Sequence, residues 1–116
     1  MYAFRQTLAE QCLASGYPIT ADELGIVMML HQAGREQGLT QKQLADTLAK
    51  DKAVITRLLN SLAGKDLSLR TTDAKDRRVV RVSLTDAGLA AAETLHPRLM
   101  EVLKQAYSDI SDEEFL

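Results

Sequence analysis

Between Lys65 and Leu84 the sequence stops behaving like the rest of the chain, and this interruption constrains the fold more than any other feature. Elsewhere, apolar residues return every three or four positions. Here Leu69-Arg70-Thr71-Thr72 and Val79-Val80-Arg81-Val82-Ser83-Leu84 are rich in β-branched residues. Val80, Val82 and Leu84 alternate with Arg81 and Ser83, which is the period of a half-buried strand. Asp73-Ala74-Lys75-Asp76-Arg77-Arg78 joins the two runs as a polar hairpin loop. The expected fold class is mainly α with one small β-hairpin.

Helix starts are legible on both sides of the hairpin. Thr20-Ala21-Asp22-Glu23, Thr40-Gln41-Lys42-Gln43 and Ser111-Asp112-Glu113-Glu114 each place a hydroxyl three residues before a carboxylate or amide, the pattern of a capping box. Asp51 and Thr85 are single caps. Gly16 and Pro18, the stretch Gly34 to Gly38, and Gly64 mark the ends. These signals predict helices over about 2–15, 20–35, 40–49, 51–65 and 85–108, with a further helix opening at about 111. The sequence ends at Leu116, so that last helix is expected to continue beyond it. Pro97 removes one backbone hydrogen bond and costs ~3 kcal/mol in a straight helix, which predicts a kink or break near His96.

Bulk properties bound the function. The 116 residues suffice for one domain, residues 1–116. No apolar run approaches the ~20 residues that cross a membrane, and no charged-then-apolar leader opens the chain, so a cytoplasmic protein without membrane partners is expected. Cys12 is the only cysteine, which excludes an internal disulfide and a cysteine-based zinc site. Three Tyr, two Phe and no Trp are too few for a base-stacking platform on single strands. The net charge of −2 conceals an uneven distribution. Residues 40–83 carry ten lysines and arginines against five aspartates, and the flanks are acidic. A basic block of this kind is a localised electrostatic footprint.

The helix opening at Asp51 lies inside that block. Ile55, Leu58, Leu59 and Leu62 form its core-facing stripe, and Ala53, Thr56, Arg57 and Asn60 fall on the opposite face. No acid lies on that outer face from Lys52 to Asn60. A face of short, hydrogen-bonding and cationic side chains can enter a major groove and meet base edges and phosphates. A solvated helix usually alternates Glu with Lys instead. The preceding helix has Leu39, Leu44 and Leu48 as apolar positions and a small Ala45, and only a tight turn near Lys50-Asp51 separates the two. Such a pair can pack at a steep angle with the second helix protruding, although a hairpin in a helical bundle reads similarly. The loop with Lys75, Arg77 and Arg78 can then lie along a DNA backbone or enter a minor groove. Asp73 and Asp76 are expected to be structural, capping amides or holding an arginine.

The order helix, helix-turn-helix, basic hairpin, long helix resembles the MarR family of bacterial winged-helix regulators. The resemblance rests on Ile19-Thr20, on Leu39-Thr40 with Gln43-Leu44-Ala45, on Val54-Ile55-Thr56-Arg57-Leu58 with Leu62, on Asp76-Arg77-Arg78, and on Leu84-Thr85 with Gly88. It spans about residues 19–114. Two positions depart from the family pattern. Asp66 stands where glycine is usual, and Ser68-Leu69 inverts the usual apolar-then-polar order. The resemblance implies a winged helix-turn-helix over residues 20–84, with helical dimerisation segments at 1–16 and 85–116. It implies a transcription regulator, a repressor that acts as a homodimer on a pseudo-palindromic operator and binds double-stranded DNA through Thr40, Gln41, Lys52, Ala53, Thr56, Arg57 and Asn60. Lys75, Arg77 and Arg78 would serve the wing.

Assembly is read from the last helix. Ala92, Leu95, Leu99, Val102 and Ala106 follow 3-4-3-4 spacing, the seam of a coiled-coil-like contact. Phe4, Leu8 and Cys12 form a second stripe. Phe4, Leu8, Leu95, Leu99, Val102 and Ala106 are therefore expected at a homodimer interface, with packing inside the chain as the plainer alternative. The resemblance also implies a small-molecule effector, for which Met28, Met29, His31, Tyr17 and Tyr107 are candidate lining residues. Cys12 is read as a buried structural thiol in preference to an oxidant sensor. His31 and His96 read as isolated, and no spacing suggests a metal site, a cofactor site or a catalytic set, so an enzyme is not expected. The rival reading is a winged-helix protein–protein adaptor, which predicts an uncharged or acidic outer face and wing.

Overall fold

A computed structural model describes the backbone of residues 2–115 and the side chains of residues 3–108. Its elements run α1 (Tyr2–Ala14), α2 (Ala21–Ala33), β1 (Leu39–Thr40), α3 (Gln41–Leu48), α4 (Lys52–Gly64), β2 (Ser68–Thr72), β3 (Val80–Leu84) and α5 (Asp86–Phe115). Two capping boxes form as the sequence predicts. Thr20 Oγ1 accepts from the Glu23 amide while the Thr20 amide donates to Glu23 Oε1. Thr40 and Gln43 repeat the exchange at the start of α3. Thr85 caps α5 by accepting the Gly88 amide at 2.9 Å. Asp51 stands at the N-cap of α4 but makes no side-chain cap bond.

One strand is unanticipated. Leu39 and Thr40, read as the approach to a helix, pair antiparallel with β3, Leu39 opposite Val82 and Thr40 opposite Arg81. The sheet order is β1-β3-β2, so β3 is central. Two residues carry no periodicity from which a strand could be recognised. Gly38 makes the pairing feasible: its φ is +61°, and a Cβ there would overlap the Val82 carbonyl oxygen. In the hairpin, Ser68 faces Leu84 and Arg70 faces Val82. Ser68 is buried and Leu69 is 39% exposed, so the inverted order at these positions is a genuine inversion of inside and outside. Asp66 takes the left-handed conformation expected in place of glycine, with φ +61°.

The core gathers Leu24, Ile26, Val27 and Leu30 from α2, Leu44 from α3, Ile55, Leu59 and Leu62 from α4, Val82 and Leu84 from β3, and Ala91, Ala92 and Leu95 from α5. Between α3 and α4 the chain turns through Ala49, which is left-handed at φ 53°, and the Lys50 amide donates to the Ala45 carbonyl at 3.0 Å. Glu23 fixes α2 against the end of α4. Its buried carboxylate accepts from Lys65 Nζ at 2.8 and 2.9 Å.

The last helix corrects two expectations, a break near His96 and a new helix at about 111. It continues through Pro97 without a break, because only one amide hydrogen is lost and Leu95 and Val102, on either side, are both buried. It also continues through Ser111, so the third capping box does not open a separate helix. A capping sequence starts a helix only where the chain arrives extended, and here it arrives already helical. The predicted seam is covered in part within the chain. Leu8, Ala92, Leu95 and Val102 are buried, and Phe4 and Leu99 pack against the same core. Ala106 is half-buried. Helix α1 lies along α5, where Arg98 donates to Gln11 Oε1 at 3.2 Å. Within the chain these residues pack α1 against α5, with Phe4, Leu99 and Ala106 still partly exposed. Among the described residues, the large apolar side chains left exposed on α1 and α5 are Leu13, Met100, Leu103 and Tyr107.

Candidate nucleic-acid interface

Helix α4 buries Ile55, Leu59 and Leu62 and turns Lys52, Ala53, Thr56, Arg57 and Asn60 outward, all exposed. This division follows from the 3.6-residue repeat, since the core stripe fixes the opposite face. Two outward residues are tied to neighbouring elements. Thr56 Oγ1 donates to the Lys52 carbonyl at 2.9 Å and accepts from Gln41 Nε2 at 3.2 Å. The hydroxyl is thus engaged within the protein, and Gln41 braces the first turn of α3 to the first turns of α4. Asn60 Oδ1 accepts from Arg70 Nη2 at 2.8 Å, and the same nitrogen approaches the Thr56 carbonyl at 3.4 Å. The bond occupies one of the two lone pairs of Asn60 Oδ1 and leaves its amide hydrogens free to donate to a ligand. Arg70 lay outside the set inferred from sequence. Its signal was parity: it shares a strand face with buried Ser68, and that face points at α4.

The wing loop is organised by Asp73. Its Oδ1 accepts the amides of Lys75 and Asp76 at 2.7 and 3.3 Å, and its Oδ2 accepts Arg81 Nε at 2.9 Å. The Lys75 amide, followed by the Arg81 guanidinium, holds the Asp73 carboxyl below the usual carboxylate range. Asp76 accepts the backbone amide of Arg78 at 3.1 Å and its Nε at 3.2 Å. Arg78 still points into solvent, with its side chain 91% exposed. Arg77 and Lys75 are exposed and make no salt bridge among the described residues.

Ion pairing divides the basic block into two groups. Lys50 pairs with Asp22, Lys65 with Glu23, Arg78 with Asp76 and Arg81 with Asp73. For Asp22, burial pushes the carboxyl up, but hydrogen bonds from Arg5 and Lys50 outweigh it and leave it below its ordinary value. Lys42, Lys52, Arg57, Arg70, Lys75 and Arg77 have no carboxylate partner among the described residues. Those six sit on α3, α4, β2 and the wing loop, so the uncompensated positive charge follows the outward side of the helix pair and the hairpin.

Other candidates separate. Met28, Met29 and His31 line one cavity, which Tyr17 and Tyr107 do not. Tyr107 is 75% exposed, and Tyr17 packs on the core. His31 and His96, isolated in the sequence, are brought together with ring centres 6.2 Å apart. Cys12 is fully buried, and that burial, with the nearby Glu23 charge, pushes its thiol up. Among the described residues no helix is long and apolar enough to cross a membrane.

A helix pair joined by a tight turn and followed by a basic β-hairpin, with the sheet closed by a strand before the pair, defines a winged helix-turn-helix. The chain belongs to the MarR family, whose model matches residues 18–80, more than half of its length. It is 28% identical over 98 residues to the HTH-type transcriptional repressor MdtR of Bacillus subtilis, covering 84% of this chain and 61% of MdtR. It is 29% identical over 100 residues to the repressor YetL of the same organism, covering 86% of this chain and 59% of YetL. The chain thus spans about three fifths of these curated relatives. Among solved structures it is similar to MepR of S. aureus in complex with DNA, with a TM-score of 0.84 and 26% identity over 97% of this chain and 80% of that one.

Proposed function

We propose that this chain is a sequence-specific, double-stranded-DNA-binding transcription regulator that acts in the cytoplasm as a homodimer on a pseudo-palindromic operator. The observation that carries this reading is the set of six cations on α3, α4, β2 and the wing with no carboxylate partner among the described residues, beside an outer α4 face with no acid from Lys52 to Asn60. In this reading Ala53, Thr56, Arg57 and Asn60 meet the major groove, Gln41 and Lys52 approach the backbone, and Arg77 and Arg78 reach the adjacent minor groove. Thr40 contributes as the cap that sets where α3 begins. Thr56, with its hydroxyl engaged, offers its methyl to a thymine methyl.

Repression is the favoured sense, supported by the names of MdtR and YetL. Dimerisation through residues 1–16 and 85–116 is supported by the exposed Leu13, Met100, Leu103 and Tyr107, and a twofold dimer would set its recognition helices ~34–36 Å apart. A small-molecule effector acting between the two regions belongs to the same reading. The adaptor alternative predicts an uncharged or acidic face, opposite to the one here.

The test is selection of bound genome fragments with the purified protein, followed by a salt series on the selected site. Affinity should fall linearly with salt on logarithmic axes, and Arg57→Ala or Arg77→Ala should each reduce the slope by about one. Failure to select any fragment over bulk DNA would overturn the proposal.

A further inference from the structure

Three of the four methionines and both histidines of this chain meet at one place. Met28, Met29 and His31 of α2 and His96 and Met100 of α5 line a cavity of about 330 Å³, together with Gln32 and Leu99. Met28 and His31 are three apart on α2, and His96 and Met100 are four apart on α5, so each pair shares a helix face. Two thioethers and two imidazoles are thereby presented from facing helices.

The ring geometry fits a shared ion. A metal–nitrogen bond is about 2 Å and a ring nitrogen lies about 1 Å from the ring centre, so two imidazoles on one ion have centres about 5 Å apart at a tetrahedral angle and about 6 Å apart when opposite. A four-donor site here therefore needs a wide nitrogen–metal–nitrogen angle or an ~1 Å closure of the rings. The observed separation is 6.2 Å, with the rings tilted by 54°. Plain packing explains the methionines as core filler but leaves the pairing of the only two histidines without a role.

The donor set selects the ion. No carboxylate or cysteine lines this cavity, and among the described residues no three His, Cys, Asp or Glu cluster as metal ligands. Hard ions that require oxygen donors have nothing to bind here. Thioethers favour soft monovalent copper, and imidazole also suits copper. We propose that Met28, His31, His96 and Met100 form a site for Cu(I) joining α2 to α5. Copper binding is independent of DNA binding, so either can fail alone.

The experiment is an anaerobic titration of the whole chain, in a Cys12→Ser background, with Cu(I) held by a chromophoric chelator. The protein should withdraw one copper per chain, and X-ray absorption should report mixed sulfur and nitrogen neighbours. His96→Gln and Met100→Leu, both at exposed positions and each checked for an unchanged thermal melt, should weaken binding by at least about tenfold. Zn(II) in excess should not displace the copper. No withdrawal of copper, undiminished binding in both variants, binding only when Cys12 is present, or displacement by zinc would each overturn the site.

Discussion

Arg70 of the first wing strand donates to the carboxamide oxygen of Asn60 on α4 at 2.8 Å, so the hairpin and the helix beside it are joined by a side chain that carries charge but meets no carboxylate among the described residues. Replacing Asn60 by aspartate would neutralise that charge and turn the bond into an ion pair. Asn60→Asp should therefore leave the melting temperature equal or slightly higher, while weakening DNA binding on all sequences alike. Arg70→Ala should cost about 1 kcal/mol in urea melts, since the bond is exposed. If Asn60→Asp changed base preference at one operator position and left overall affinity intact, Asn60 would be a reader and not a brace.

Arg77 and Arg78 are adjacent but differ in restraint. Arg78 is oriented by Asp76 on both its amide and its guanidinium, and Arg77 is not. Arg78→Ala should lose more affinity on the selected site than on random DNA. Arg77→Ala should weaken both alike. Asp76→Ala, which frees Arg78, should reproduce part of the Arg78→Ala effect in anisotropy titrations.

The Glu23–Lys65 pair makes stability depend on acid. Burial pushes the Glu23 carboxyl up, but Lys65, the Thr20 amide and Ser61 outweigh it and hold it below its ordinary value. A group lowered on folding contributes stability above its unfolded pKa, about 4.3 for glutamate, and loses it as the pH falls through the folded value. Urea midpoints should decline below about pH 4 for the parent, and less steeply for Glu23→Gln. At neutral pH that variant should be less stable by about 2 kcal/mol, below the full cost of breaking a buried pair because Lys65 keeps some contact with water.

Ala49 holds a left-handed conformation that costs a residue with a Cβ roughly 1 kcal/mol. Ala49→Gly should recover part of that in thermal melts. Gly88→Ala should do the reverse, because its new Cβ would overlap the Leu67 carbonyl oxygen, a backbone atom that cannot step aside. A melt of Gly88→Ala indistinguishable from the parent would contradict this packing of α5 on the wing base.

Cys12, fully buried with its thiol pushed up, should react slowly with thiol reagents in the folded chain. Peroxide should leave DNA affinity unchanged, and Cys12→Ser should behave as the parent does in the same titration.

The parts readable from sequence were those with local causes. The Thr20 and Thr40 caps, the α4 stripe and the Val80-Val82-Leu84 alternation each encode their structure within a few residues. What escaped depended on partners distant in the chain. The strand at Leu39-Thr40 exists only because Val82 and Arg81 lie opposite it. The seam of α5 was recognised as apolar, but spacing alone cannot say whether a second chain or α1 covers it. Arg70 and Asn60 lie ten positions apart on different elements, and His31 and His96 are farther apart still. The expected helix start at Ser111 fails for a related reason, since a local signal yields to the state of the chain that precedes it.

The pairing of Leu39 with Val82 has a further consequence. Adjacent strands lie about 4.8 Å apart, so residues 41–79, with α3, α4 and the first wing strand, begin and end on neighbouring threads. The segment is a loop with a closed neck whose inner side is held by Leu44, Ile55, Leu59 and Leu62 in the common core and by Lys65 on Glu23. Its outer residues can therefore be exchanged without moving its ends, provided that the inner ones are kept. A swap of only the exposed residues of 41–80 between relatives should leave the melt unchanged, and would test whether the outer side alone carries DNA preference.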